Sequence, residues 1–530
     1  MELVLTIKKR PLAIAAYVLL LVPIVLFFSS WLQWYIGVPA AVVLIAGATW
    51  IIRKDYGEKD EGLRISLGHL GGIVFVFVLV VALSGIVGLG ISSYDVPCRN
   101  ATFRDLIDYS WPVVYDNGNA MVYYAAFWLP AALVGKLLGW IGGLCALGAF
   151  VVAVITVSYL LILSYLKATT PGKMWLVGMS VVFWSGLMLL GAALMSGVGW
   201  EPRVYPLLTD GAGYLDGLYN GEPFNWYYRG SFGTIQLVYN QLLLWVAVPL
   251  MLQNRTAHSY MFLGLLVLPY SPWGFLGLIP LLIGCALPWI IEQVKLKNIR
   301  GIMKAVFSPA NLAALVTIAP IFALYFLASS RTGGSASFGV ITPDMVASFE
   351  QAGHYYTTQT GFAGFLSWDR FTLHSIVGLI LFYLMEFGVY MTLIYPKFKK
   401  EPLFWVILVW LMLIPLIWVG TSNGREFCMN ASIPPLFALM IMMLSYTTTE
   451  VYGKPLNARN LCLVLSFTLI FTGAAFSVLG KTKVLRNNHT ISIVDDSINT
   501  FSDKNYEDGY QNFLTDAPED TLFFKYLARR

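Results

Sequence analysis

The chain reads as an all-α polytopic membrane protein with about 13 transmembrane helices (12–14), on three observations. Only 12% of its 530 residues are charged while 58% are apolar, against about 25% charged in soluble domains. The apolar residues come in repeated blocks of about 18 to 25, the length that crosses a hydrocarbon layer about 30 Å thick. The basic residues between blocks fall unevenly on alternate connections, the bias that orients membrane proteins. A soluble enzyme is excluded. The net charge of +5 is small and dispersed, so no nucleic-acid partner is expected.

The first block follows the basic start KKRPLAIAAYVLLLVPIVLFF. It resembles a signal peptide but has no small-residue cleavage pattern after it, and so reads as an uncleaved span at 12–29 with its N-terminus inside. Further spans are expected at 35–52, 68–90, 141–166, 174–196, 235–252, 257–271, 274–293, 309–328, 373–395, 403–420, 431–447 and 460–478. The segment MVYYAAFWLPAALVGKLLG at 121–139 carries Pro130 and Lys136. If it does not cross, one side of the membrane receives 19 connecting Lys and Arg residues and the other 8. If it crosses, the bias is largely lost, so a re-entrant or interfacial helix on the outer face is expected.

With that topology residues 1–479 form the transmembrane region, with outer loops at 91–140, 197–234 and 329–372, and residues 480–530 form an extracytoplasmic tail. The tail's aromatic ending DTLFFKYLARR suggests that it folds back on the outer face. The expected setting is a bacterial cytoplasmic membrane, with membrane lipids as neighbours. No GxxxxGK[ST] loop and no GxGxxG after a strand is present, which argues against ATP-driven transport. No 20–50-residue repeat and no matching broken helices in the two halves mark an inverted-repeat transporter. The five cysteines have no CxxC spacing and imply no metal cluster. Cys98 and Cys428 both fall outside, which allows a disulfide between them.

Candidate chemistry concentrates on the outer side. In SSYDVPCRNATFRDLIDYSWPVVYD, Asp95 lies a few residues past a span. Arg99, Arg104, Asp105 and Asp108 follow, within an amphipathic helix whose Phe103, Leu106, Ile107 and Trp111 share a face and which Pro112 ends. Such a helix would lie flat at headgroup depth, where a carboxylate can take a proton from an attacking hydroxyl and an arginine can pair with a lipid-linked phosphate. Ordinary interfacial polar residues would look the same. The second loop interleaves Trp200, Tyr205, Tyr214, Trp226, Tyr227 and Tyr228 with Arg203, Asp210, Asp216, Glu222 and Arg229. That mixture suits either a pyranose or an aromatic belt. The Gly/Ser-rich third loop carries Arg331, Asp344, Glu350, His354 and Asp369, as a flap would. Arg425 and Glu426 stand at the end of a span, and Glu386 is the acidic residue well inside one, favoured for a structural role beside Tyr383 and Tyr390.

Asp95, the helix at 103–111 and YYAAFWLPAALVGKLLG from Tyr123 to Gly139 together resemble the membrane glycosyltransferases of the GT-C superfamily. The motif covers roughly residues 68–166, and the topology covers the whole chain. The resemblance implies transfer of a hexosyl or pentosyl group, with inversion, from a polyprenyl-phosphate donor to a cell-envelope glycan, lipid or protein acceptor on the extracytoplasmic face. It places the general base or acceptor-positioning group at Asp95. Many relatives have two adjacent acidic residues there, whereas Asp95 is flanked by Tyr94 and Val96, leaving Asp105 or Asp108 as the second carboxylate. Donor or acceptor contacts are expected from Arg99, Asp105, Asp108, Arg203, Arg229, His354, Arg425 and Glu426. No cofactor is required, although a divalent cation stays open. A lipid or polysaccharide transporter and an outer-face glycan polymerase or ligase are the alternatives. His374, at a span edge, is poorly placed for an O-acyltransferase.

Overall fold

The computed structural model describes residues 3–57, 62–92, 96–187, 189–191, 194, 226–254, 257–328, 337–341, 362–366, 372–420, 425–504, 510 and 513–529. A short strand β1 (Val4–Ile7) leads into α1 (Lys9–Trp31) and α2 (Trp34–Asp55), and β2 (Leu63–Ser66) pairs antiparallel with β1 before α3 (Leu67–Leu83). Strand β3 (Gly90–Ser92), α4 (Val96–Asp108) and β4 (Ala120–Met121) form the first outer stretch. Then come α5 (Leu129–Leu166), α6 (Pro171–Phe183), α7 (Ser231–Leu237), α8 (Leu243–Gln253), α9 (Tyr260–Val267), α10 (Pro272–Lys295), α11 (Ile299–Val306) and α12 (Pro309–Leu327). Strands β5 (Ser337–Ile341) and β6 (Phe362–Leu366) precede α13 (Leu373–Tyr383), which a π turn at Leu384–Gly388 joins to α14 (Val389–Phe398). The chain closes with α15 (Pro402–Leu413), β7 (Ile417–Gly420), α16 (Arg425–Ala431), α17 (Ile433–Tyr446), α18 (Ala458–Asn487), β8 (Ser492–Val494) and β9 (Leu514–Thr515).

The helix starts are written in the sequence. Pro171, Pro272, Pro309 and Pro402 each open a helix, where the missing N–H costs nothing. The side chains of Ser66, Ser271, Ser308, Thr372 and Asn457 accept a first-turn N–H. Among the described residues eight helices are long and apolar enough to cross a membrane, or nine if the bent pair α7–α8 counts as one span. The chain is thus a polytopic helical membrane protein. The blocks expected at 68–90, 257–271 and 403–420 correspond to shorter apolar helices, Leu67–Leu83, Ala257–Val267 and Pro402–Leu416. The window Phe427–Val451 is 94% buried, which puts α17 at the centre of the bundle. A helix apolar all round belongs there, and Trp245 of α8 stacks on its Phe437 at 5.0 Å.

Two ends of the bundle are distinguishable. Lys9, Lys54, Lys167, Gln253, Asn254 and His258 line one cavity, which gathers the starts and ends of α1, α2, α5 and α8 at a lysine-rich end. At the other end Trp31 packs on Trp111 at 5.7 Å and its carbonyl accepts from the N–H of Arg529 at 2.8 Å. The segment expected to be re-entrant touches this second end twice. Val122 N–H donates to the Phe513 carbonyl, and Lys136 Nζ donates to the carbonyls of Ile107 and Tyr109. The helix then breaks at Gly139, whose φ of 74° and ψ of −174° interrupt α5, and continues to Leu166 at the lysine-rich end.

Candidate functional site

Helix α4 begins immediately after Asp95, which itself lies outside the described residues together with Ser93 and Tyr94. The helix expected at 103–111 is displaced: it runs from Val96 to Asp108, with Pro97 tolerated in the first turn. Trp111 stands beyond the helix and folds back, its Nε1 donating to the Leu106 carbonyl at 2.8 Å. Nor does α4 lie bare on a surface, because nine of its thirteen residues are buried. It packs on α5, with Phe103 5.5 Å from the Trp140 ring, and is further covered by the C-terminal tail. The tail's strand β8 pairs parallel with β3, and its β9 pairs antiparallel with β4. Phe513 stacks against Phe501 at 5.0 Å and packs on Tyr123 at 4.4 Å, with the rings tilted.

Asp105 is the centre of that junction. Its carboxylate accepts from the Tyr115 hydroxyl at 2.7 Å, the Thr500 hydroxyl at 2.6 Å and the Phe501 N–H at 2.9 Å. Burial raises its pKa above the usual carboxylate value, although the three hydrogen bonds pull the other way. Burial, and next the Asp105 charge, push the Tyr115 phenol up as well, so Tyr115 stays a donor. Arg104 donates to the Asn499 carbonyl at 3.0 Å, lies 3.4 Å from Asp496 and covers the Trp140 ring at 4.5 Å. Asp108 is exposed at the helix end.

Arg99 points into the bundle and is only 4% exposed. Its charge acts on Tyr239, whose hydroxyl accepts from Trp128 Nε1 at 3.1 Å. Tyr239 stands at the break between α7 and α8, where the chain turns through 114°. Seven residues of α7 span about 10 Å, and Arg229 lies just before the far end of that helix. Between them Gln236 donates to the Ile91 carbonyl at 2.9 Å, beside the Asp95 loop, and accepts from Lys481 Nζ of α18. Lys481 is itself buried and lies 4.6 Å over the Phe232 ring.

Arg229 is 8% exposed. Its Nη2 donates to the Met429 sulfur at 3.1 Å and its guanidinium sits 5.7 Å from the Tyr227 ring. Among the described residues its Nε and Nη1 have no hydrogen-bond partner. A buried cation in that condition is costly unless an anion or further acceptors meet it. Next to it the Tyr228 hydroxyl donates to the Leu411 carbonyl. Glu386, 2% exposed, lies in the π turn against Gly186, where a Cβ would run into its carboxylate. Tyr383 and Tyr390 donate their hydroxyls to the carbonyls of Met412 and Ser185 instead of to Glu386.

Thus Arg99 and Arg229 stand at the two ends of α7, while Asp105 joins the tail and Asp108 faces out. Arg203 and His354 lie outside the described residues, and Arg425 and Glu426 are described only as the backbone opening α16. Cys98 and Cys428 do not form a disulfide. Lys481 and Gln236 were not foreseen. A lysine three residues past an apolar block reads as an ordinary span boundary, and only the turn-back of α7 shows that it is buried. Among the described residues no group of His, Cys, Asp and Glu side chains could hold a metal ion. No family model, no curated protein and no solved structure matches the chain.

Proposed function

We propose that the protein is an integral membrane glycosyltransferase. It moves a sugar from a polyprenyl-phosphate donor to a cell-envelope acceptor at the end of the bundle that carries α4 and the tail. The observation that carries this reading is the buried Arg229, whose Nε and Nη1 lack partners among the described residues and fit the phosphate of a lipid-linked donor. Arg99, at the other end of α7, supplies a second buried cation.

In the proposed step the acceptor oxygen attacks the anomeric carbon from the face opposite the phosphate. The new C–O bond forms as the C–O bond to phosphate breaks, with inversion, and that electron pair leaves on the phosphate. Asp95 takes the proton of the acceptor hydroxyl, and the arginines stabilise the charge growing on the leaving group. The test uses membranes containing the full chain, supplied with radiolabelled polyprenyl-phosphate sugar. Asp95→Asn is expected to lower transfer to acceptor by about 10²–10⁴-fold at unchanged protein level. Full activity in the folded variant would remove Asp95 as the base.

A transporter is the second reading, and the α7–α8 break favours it, because broken helices with buried charge mark substrate sites in carriers. Sealed proteoliposomes separate the two. Intact donor appearing in the opposite leaflet, with no sugar transferred, selects the carrier.

A further inference from the structure

The lysine-rich end holds a cavity of about 490 Å³ that no step above uses. It is lined by Lys9 at the start of α1, Lys54 at the end of α2 and Lys167 just past α5. Lys167 is held in the left-handed region at φ 52° as the cap of α5. Its inner wall is Asp55, 2.7 Å from His258 Nε2 and accepting from Asn254 Nδ2. The wall is braced from behind: the Asn311 side chain donates to the Ala257 carbonyl at 2.9 Å, and Trp50 meets the His258 ring edge-on at 5.7 Å.

The charges do not balance within the cavity. Asp55 is engaged with His258 and Asn254, and among the described residues none of the three lysine side chains makes a hydrogen bond or ion pair. Lys54 lies 4.5 Å over the Trp50 ring, which fixes its ammonium at the rim without neutralising it. Three like charges lining one cavity favour an anion among them. The rest of the lining is Tyr56, Ser164, Tyr165 and Gln253, whose hydroxyl and amide groups suit the oxygens around a phosphate better than an apolar tail.

We propose that this cavity binds a phosphate ester, with the phosphate between Lys9, Lys54 and Lys167 and its hydroxylated substituent against the Asn254–His258 wall. The cavity sits at helix ends, so a phospholipid headgroup and a soluble phosphate ester share the chemistry that the site recognises. The assignment does not depend on the sugar-transfer reading, which concerns the opposite end of the bundle.

The test is acetylation footprinting of the full chain, read by mass spectrometry at each lysine. The arms are nanodiscs of phosphatidylcholine, of phosphatidylglycerol, and of phosphatidylcholine with added glycerol 3-phosphate. Lys304 is the control, on α11, which packs against the Ala257–Ser259 turn at the same end. Acetylation of Lys9, Lys54 and Lys167 is expected to slow at least tenfold relative to Lys304. Slowing with phosphatidylglycerol alone identifies a lipid headgroup, with glycerol 3-phosphate alone a soluble ester, and with both the phosphate itself. Native mass spectrometry of a Lys9→Gln, Lys54→Gln, Lys167→Gln variant is expected to show loss of the phosphatidylglycerol or glycerol 3-phosphate that the unaltered chain retains. Equal slowing at Lys304, no slowing in any arm, or undiminished retention by the variant overturns the proposal.

Discussion

At Asp105 one carboxylate holds three donors that come from α4's own loop and from the tail. Asp105→Ala leaves the Tyr115 hydroxyl and the Phe501 N–H buried without their acceptor, at a cost of about 1–3 kcal/mol. Asp105→Asn is expected to cost less, because its oxygen replaces one acceptor and the Thr500 hydroxyl can turn to accept from its amide. Thermal unfolding, with tail proteolysis alongside, orders the two variants. The same residue sets a pH dependence. Its folded pKa is raised above the unfolded value, so between the two the folded state holds more protons. Stability therefore falls as pH rises from the ordinary carboxylate value through the raised one, and is level above it. Both variants are expected to lose that acid-side slope.

Arg229 makes the opposite prediction. Replacing a buried, incompletely paired cation by an apolar side chain of similar volume removes a desolvation penalty, so Arg229→Met is expected to be neutral or stabilising by about 1–4 kcal/mol. On the proposed function the same change lowers sugar transfer at least tenfold. A variant that unfolds at a lower temperature, or that transfers normally, contradicts the role given to this arginine.

At the scale of elements the breaks matter more than the helices. Gly139 has a φ of 74° with ψ near 180°, a region that only glycine occupies readily. Gly139→Ala is expected to destabilise by about 1–3 kcal/mol and to loosen the contacts of Lys136 with α4, measured as faster hydrogen exchange over residues 103–110. The long spans were legible because composition and length alone define them: Lys9–Trp31 and Pro309–Leu327 fall within a few residues of the expected blocks. Helix α4 was legible as a helix but not in its extent. Its Phe103 and Leu106 give the periodicity, yet its Asp105 is held by Thr500 and Phe501 of the tail, and no local pattern encodes a partner that distant. The α7–α8 bend was hidden for a related reason. Residues 235–252 read as one span in which Gln236, Asn240 and Gln241 interrupt the apolar residues, and such a run does not reveal whether it is straight.

Across the whole molecule, the scarce charges are sorted by end. Lys9, Lys54 and Lys167 line one cavity, whereas Arg99, Arg229 and Lys481 are buried around the turned-back α7. The tail ties the second end together by pairing with β3 and β4 on either side of α4. On the proposed function, the buried cations meet the phosphate of a lipid-linked donor and Asp95 serves the acceptor. The measurement that bears on this is mass spectrometry of polyprenyl-linked sugars extracted from membranes of cells lacking the chain, then restored with the unaltered chain or with Asp95→Asn. One sugar-linked polyprenyl phosphate is expected to accumulate without the chain, to return to its ordinary level with the unaltered chain, and to stay high with the variant. An unchanged lipid-linked pool in cells lacking the chain, or full restoration by Asp95→Asn, would contradict it.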